Sequence, residues 1–252
     1  MRKHLVWTLV LSTVIAVGVS AVALAAGEKP TVVRAGNLVL TLNGGVSPKA
    51  LPRTKLAPIA VHFSGRIATA DGSQPPALTN FSIETGRTGA IETKGVPVCN
   101  RGEIAATDTQ AAEAACRGAI VGKGSTEVRV AFPESTPFNA RGPLVIFNGG
   151  TRGNKTLILI HAYVAVPAPT AIVETITVTK EHRGPYNLHS TGPISPIAGG
   201  SGSVTSFDLT INRKGYLMAS CLGGVFFAHV VAAFKGGTEV SGSLTRPCKE
   251  IG

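Results

Sequence analysis

The chain predicts an all-β, disulfide-stapled sandwich of about a dozen strands with one short α-helix. Three features lead there: apolar residues alternate at period two, glycine-rich breakers recur between the alternating runs, and four cysteines form an even set. Hydrophobic residues make up 44% of the 252 and charged residues 15%, so there is ample apolar surface to bury and disorder is excluded. Thirty glycines occur without a triplet period, which excludes collagen. No heptad pattern supports a coiled coil, and no repeated long apolar runs support a polytopic membrane protein.

The N-terminus reads as an export segment. Met1-Arg2-Lys3-His4 precedes an apolar run from Leu5 to Leu24, and Ala23-Leu24-Ala25 supplies a small-x-small cleavage pattern. Residues 1–25 are therefore expected to be a signal peptide, with cleavage before Ala26 and a single all-β extracellular domain over 26–252. The run is long enough to just cross a bilayer, so a retained anchor is the alternative. No cysteine follows the cleavage pattern at once, which argues against a lipid anchor.

Strands are then read in order. Leu38, Leu40 and Leu42 share a face, and Asn43-Gly44-Gly45 is expected to end that strand. Ile59, Val61, Phe63 and Ile67 oppose His62, Ser64 and Arg66. Val128, Val130 and Phe132 alternate with Glu127, Arg129 and Ala131. Ile176 and Val178 alternate with threonines, and Phe207, Leu209 and Ile211 alternate with Asp208, Thr210 and Asn212. The bulkier runs Leu157–Val166 and Val225–Phe234 are predicted to be central strands buried on both faces. Breakers at Asp71-Gly72, Asn148-Gly149-Gly150, Gly199-Gly200 and Gly236-Gly237 separate these runs, and Arg213-Lys214-Gly215 reads as a tight hairpin.

Thr107-Asp108-Thr109-Gln110 reads as a capping box opening an alanine-rich helix over about 107–116, with Gly118 closing it. All four cysteines, Cys99, Cys116, Cys221 and Cys248, follow the leader. In an exported chain they are expected to form disulfides, and no spacing around them suits zinc. Three pairings are possible; the sequence-local pairs Cys99–Cys116 and Cys221–Cys248 are favoured.

A further set of residues carries a resemblance. Leu56-Ala57-Pro58-Ile59, Asp71-Gly72-Ser73 with Pro75-Pro76-Ala77-Leu78, Gly142-Pro143-Leu144 with Phe147-Asn148-Gly149, and Pro196-Ile197-Ala198-Gly199-Gly200 belong to it. So do Ala219-Ser220-Cys221 and Gly242-Ser243-Leu244-Thr245-Arg246-Pro247-Cys248. Together they resemble a family of secreted proteins of actinobacteria to which no activity is attached. The resemblance implies export and an all-β fold. This chain departs from it before the third cysteine, where Arg213-Lys214-Gly215-Tyr216 is shorter and less tyrosine-rich.

Removing Arg2 and Lys3 with the leader leaves 22 basic and 14 acidic residues, a net +8. The segment from Glu28 to Asp71 has no acidic residue between its ends, and Lys49, Arg53, Lys55 and Arg66 within it are the candidate basic binding surface. Outside a Gram-positive cell the matching partners are anionic cell-wall polymers, attracted in a salt-dependent way, or another surface protein. Nucleic acid is excluded by compartment and by the lack of aromatics interleaved with the basic residues. The only tryptophan, Trp7, is in the leader, which disfavours carbohydrate stacking. After cleavage no transmembrane span remains.

Catalytic motifs are lacking. Gly118-Ala119-Ile120-Val121-Gly122-Lys123-Gly124 has three residues rather than four between its first glycines and no Ser/Thr after the lysine, so it fails as a phosphate loop. His62, His161 and His229 lie on predicted strands, and a three-histidine metal site would need those strands to be neighbours. His182 and His189 are placed in a solvated loop, Glu181–Pro196. Glu84, Glu92, Glu127, Glu174, Asp208 and Glu239 are read as strand residues on wet faces, with no carboxylate dyad signalled. No catalytic, cofactor-binding or metal-binding residue is therefore assigned and no cofactor is expected. The function read from sequence is a secreted or cell-envelope β-sandwich, non-catalytic and binding or structural, with electrostatic attachment to anionic wall polymers. The alternative is a secreted hydrolase.

Overall fold

A computed structural model describes residues 29–166 and 168–252, so the export segment read at 1–25 lies outside the described residues. In chain order the strands are β1 (Thr31–Ala35), β2 (Leu38–Ser47), β3 (Ala50–Pro52), β4 (Ala57–Thr69), β5 (Leu78–Gly86) and β6 (Gly89–Ile91). A helical turn α1 (Arg101–Ile104) and the helix α2 (Thr109–Ala115) follow. Then come β7 (Ile120–Val130), β8 (Phe138–Arg152), β9 (Lys155–Val164), β10 (Thr170–Arg183) and β11 (Tyr186–Pro193). The chain ends with β12 (Gly202–Ile211), β13 (Leu217–Ala219), β14 (Val225–Phe234), β15 (Glu239–Pro247) and β16 (Lys249–Ile251).

Twelve of these strands form one antiparallel path, β1-β2-β4-β12-β7-β8-β9-β10-β11-β5-β14-β15. The sheet wraps round until its first and last strands meet, and the Thr31 hydroxyl donates to the Ser243 carbonyl at 3.1 Å. Gly242 makes this meeting possible, because a Cβ there would come within 2.7 Å of Val33. The two halves enclose a core in which Leu40, Leu42, Phe63 and Ile67 pack with Val230, Ala232, Phe234 and Leu244. Phe63, Phe81 and Phe207 form a ring cluster at centroid separations of 5.3–5.8 Å. A second interior cluster joins Val121, Ile146, Ile158, Val178 and Leu188 around Tyr216.

The two sequence-local disulfides are both formed. Cys99–Cys116 holds α1 and α2 against the outer face of β8, β9 and β10, where Ile104 and Ala112 pack on Val145, Phe147, Leu159 and Val173. Cys221–Cys248 closes the other satellite, beside the short parallel pair of β3 and β16. Among the described residues no helix is long and apolar enough to cross a membrane.

Several local expectations are corrected. The helix cap is Asp108, whose carboxylate accepts the Ala111 N–H at 2.8 Å. Thr107 instead donates back to the Ile104 carbonyl, because a preceding turn, α1, already occupies it. Asn43-Gly44-Gly45 does not end β2. The bare Gly44 backbone lies close against β4, where a Cβ would sit 3.0 Å from the His62 carbonyl. Asn148-Gly149-Gly150 is a bulge within β8 rather than a turn, with the Asn148 amide donating to the Val96 and Pro97 carbonyls.

Arg213-Lys214-Gly215 is not a hairpin. β13 resumes along β4 in the same direction as β12, and Arg213 donates to the Gly118 and Ile120 carbonyls. The segment Glu181–Pro196 is largely the end of β10 and all of β11, joined at Gly184 with φ 53°. Its outward face is polar enough to read as loop, while Leu188 is buried in the core and Ile194 packs against it. Of the two runs expected to be covered on both faces, β9 lies under the helix, but β14 keeps Phe227, His229 and Val231 half-buried.

Candidate functional site

The antiparallel registers sort the loops to two ends of the sandwich. Ser47 pairs with Ala60, Ile211 with Val61 and Tyr186 with Gly86, so the β2–β4 connection, the β10–β11 turn and the start of β14 share one end. At that end Lys49, Arg53 and Lys55 are exposed, joined by Lys249 from β16. Arg53 pairs with Glu250 at 3.6 Å, and the Glu250 carboxylate also accepts the Gly223 N–H. Arg87, Arg152, Lys155 and Lys214 are exposed at the same end. Arg66 is not part of this group. It lies on the outer face of β4 opposite Ser206, about 30 Å along the strand from Ala57 at ~3.3 Å per residue.

A second arrangement crosses the outer face of five strands in one row. Thr179 on β10 is opposite His189 on β11, which is opposite Glu84 on β5, then His229 on β14 and Ser243 on β15. Period-two alternation puts all five side chains on the same face, because Ile83, Leu188 and Val230 beside them point inward. The His189 Nδ1 and Glu84 Oε1 atoms are 3.9 Å apart, and the His229 Nδ1 and Ser243 Oγ atoms 3.2 Å. Glu181 joins from the next outward position of β10, so that ligand atoms of Glu84, Glu181 and His189 lie within 4.8 Å of one another. Tyr186 packs edge-on to Phe227 at 5.6 Å, beside an open cleft of about 410 Å³ that Arg87, Gly184 and Phe227 help to line.

The three strand histidines singled out from sequence are not brought together. His62 on β4 pairs with Asp208 on β12 at 2.9 Å on an exposed face. His161 on β9 is fully buried under the helix, its Nε2 bonded to the Thr107 carbonyl at 2.9 Å. His229 belongs to the polar row. Among the carboxylates, Glu174 is not on a wet face. It points inward from β10 and accepts the Ser195 N–H at 2.6 Å, shielded from solvent. Glu92 lies just past β6 rather than within a strand. Gly122 and Gly124 of the failed phosphate loop lie inside β7, where β12 backbone carbonyls come too close for a Cβ.

Two groups among the described residues have displaced titrations. Asp71 is held well below the usual carboxylate range by hydrogen bonds from the Asn37 side chain and from Ser73. Burial pushes the Tyr216 phenol up, and its hydroxyl has no hydrogen-bond partner among the described residues.

Glu84, Glu181 and His189 were scattered in sequence, Glu84 in an expected strand and Glu181 and His189 in an apparent loop. Only the β5–β11 and β10–β11 registers join them, and no spacing signal announces that. No family model, curated protein or solved structure matches the chain.

Proposed function

We propose that the protein is an exported, non-catalytic binding module of the cell envelope that attaches to anionic wall polymers through the basic end of the sandwich. The observation that carries this reading is the gathering of Lys49, Arg53, Lys55, Lys249, Arg152 and Lys155 on loops that the registers bring to one end. Phosphate-bearing polymers meet such a surface through exposed, screened charges, which gives weak attachment that falls with salt. The Cys221–Cys248 bridge supports the reading by holding Lys249 beside the β2–β4 connection. The net +8 expected after leader removal has the same sign. The dispersal of His62, His161 and His229 favours a binding role over a hydrolase.

The test is co-sedimentation with isolated Gram-positive cell wall over a series from low to high salt. Binding that declines as salt rises, and that is lost in the triple charge reversal Lys49→Glu, Lys55→Glu, Lys249→Glu, is the expected result. No sedimentation at low salt, or equal binding by the triple variant, refutes the proposal.

A further inference from the structure

We infer that Glu84, Glu181 and His189 form a site for a divalent first-row transition ion on the outer face of β5, β10 and β11. The inference is independent of the anionic-polymer reading, because none of the three residues belongs to the basic loops.

The geometry comes first. The three side chains leave neighbouring strands on one face, and their ligand atoms lie within 4.8 Å of one another. The His189 Nδ1 atom is closed to solvent yet has no hydrogen-bond partner. It faces Glu84 Oε1 at 3.9 Å, too long for a hydrogen bond. An ion held ~2.0–2.1 Å from each donor in a tetrahedral arrangement sets donors about 3.4 Å apart, so the pair needs to close by only ~0.5 Å. Binding then satisfies a nitrogen that otherwise has nothing to bond.

Charge and donor chemistry select the ion. Two carboxylates placed this close repel each other. Arg183 Nε lies 3.7 Å from Glu181 Oε2, but its side chain is largely exposed. A divalent ion neutralises both carboxylates. The Thr179 hydroxyl, 3.4 Å from Glu181 Oε1, is placed to orient that carboxylate. One imidazole and two carboxylates without sulfur suit zinc, cobalt or manganese, whereas Ca²⁺ takes six to eight oxygens. Three protein donors leave an exchangeable position, the pattern of a site that admits a further ligand. The other cluster of potential ligands, Cys99, Glu103 and Cys116, offers no thiolate because its sulfurs are joined.

The test uses the chain purified without a histidine tag and stripped with chelator, titrated with Zn²⁺ in competition with a fluorescent zinc indicator. One ion per chain is expected, with micromolar or tighter affinity. His189→Gln, Glu84→Gln and Glu181→Gln are each expected to weaken it at least tenfold, while His62→Gln leaves it unchanged. Absence of one-to-one binding up to millimolar Zn²⁺ overturns the proposal, as does unaltered affinity in His189→Gln and Glu84→Gln. Paramagnetic broadening by Co²⁺ keeps the question open to test if a variant loses stability. In the unaltered protein the ring signals of His189 are expected to broaden before those of His62, and the reverse order refutes the assignment.

Discussion

Replacing Cys221 and Cys248 together by alanine tests how the small satellite at the basic end is held. The bridge spans a sequence separation of 27. In the chain-entropy model, closing a loop of that length restricts the unfolded chain by an amount worth ~3.6 kcal/mol at 25 °C. The Cys99–Cys116 bridge, with a separation of 17, gives ~3.1 kcal/mol by the same relation. Urea unfolding of the double variant, followed by intrinsic fluorescence, is expected to show a loss of about 3–4 kcal/mol. For a domain of this size that corresponds to a fall in melting temperature of ~6–16 °C. Cys221 is fully buried beside Leu51 and Ala219, so imperfect repacking adds to the loss. A change under ~1 kcal/mol, with mass spectrometry confirming the bridge in the parent protein, refutes the entropy argument. It would mean that the β14–β15 hairpin inside the loop already restrains the unfolded chain.

Two further outcomes follow from single side chains. Tyr216→Phe is expected to leave stability unchanged or raise it by up to about 1 kcal/mol, because the buried hydroxyl it removes has no partner. A urea-measured loss above ~1 kcal/mol would show that the hydroxyl is bonded. Asp71 has a depressed native titration, so its charge contributes stability above the ordinary aspartate value near pH ~4. That contribution is lost as pH falls through the native value. Asp71→Asn is therefore expected to flatten part of the fall in melting temperature below pH ~4; an identical acid limb in both proteins contradicts this.

The sandwich, its helix and both bridges were legible in the sequence because each has a local signature: alternation at Leu38–Leu42 or Phe207–Ile211, an alanine run, and cysteines near in sequence. Glycine misled where it serves packing between strands. Gly44 permits close approach of β4, and Gly149 sits in a bulge rather than a turn. The β11 strand was hidden because its outward residues are polar and Leu188 is its one large buried side chain. The basic group was partly visible: Lys49, Arg53 and Lys55 are near in sequence, but Lys249 joins and Arg66 departs only through strand register. The Glu84–Glu181–His189 cluster depends on two long-range pairings that periodicity does not encode.

The contact between Thr31 and Ser243 joins residues 212 positions apart. The first described strand and the last strand of the main sheet are therefore the two that meet. Because β1 precedes β15 in the chain, a chain emerging from its N-terminal side cannot close the sheet until β15 has followed. Until then the free edge of β1 is an open template for pairing with another chain. Such long-range closure is intrinsically slow. A chain interrupted before β15 would leave that edge permanently bare, and its fate would be decided by association with other copies rather than by the stability of the strands already folded.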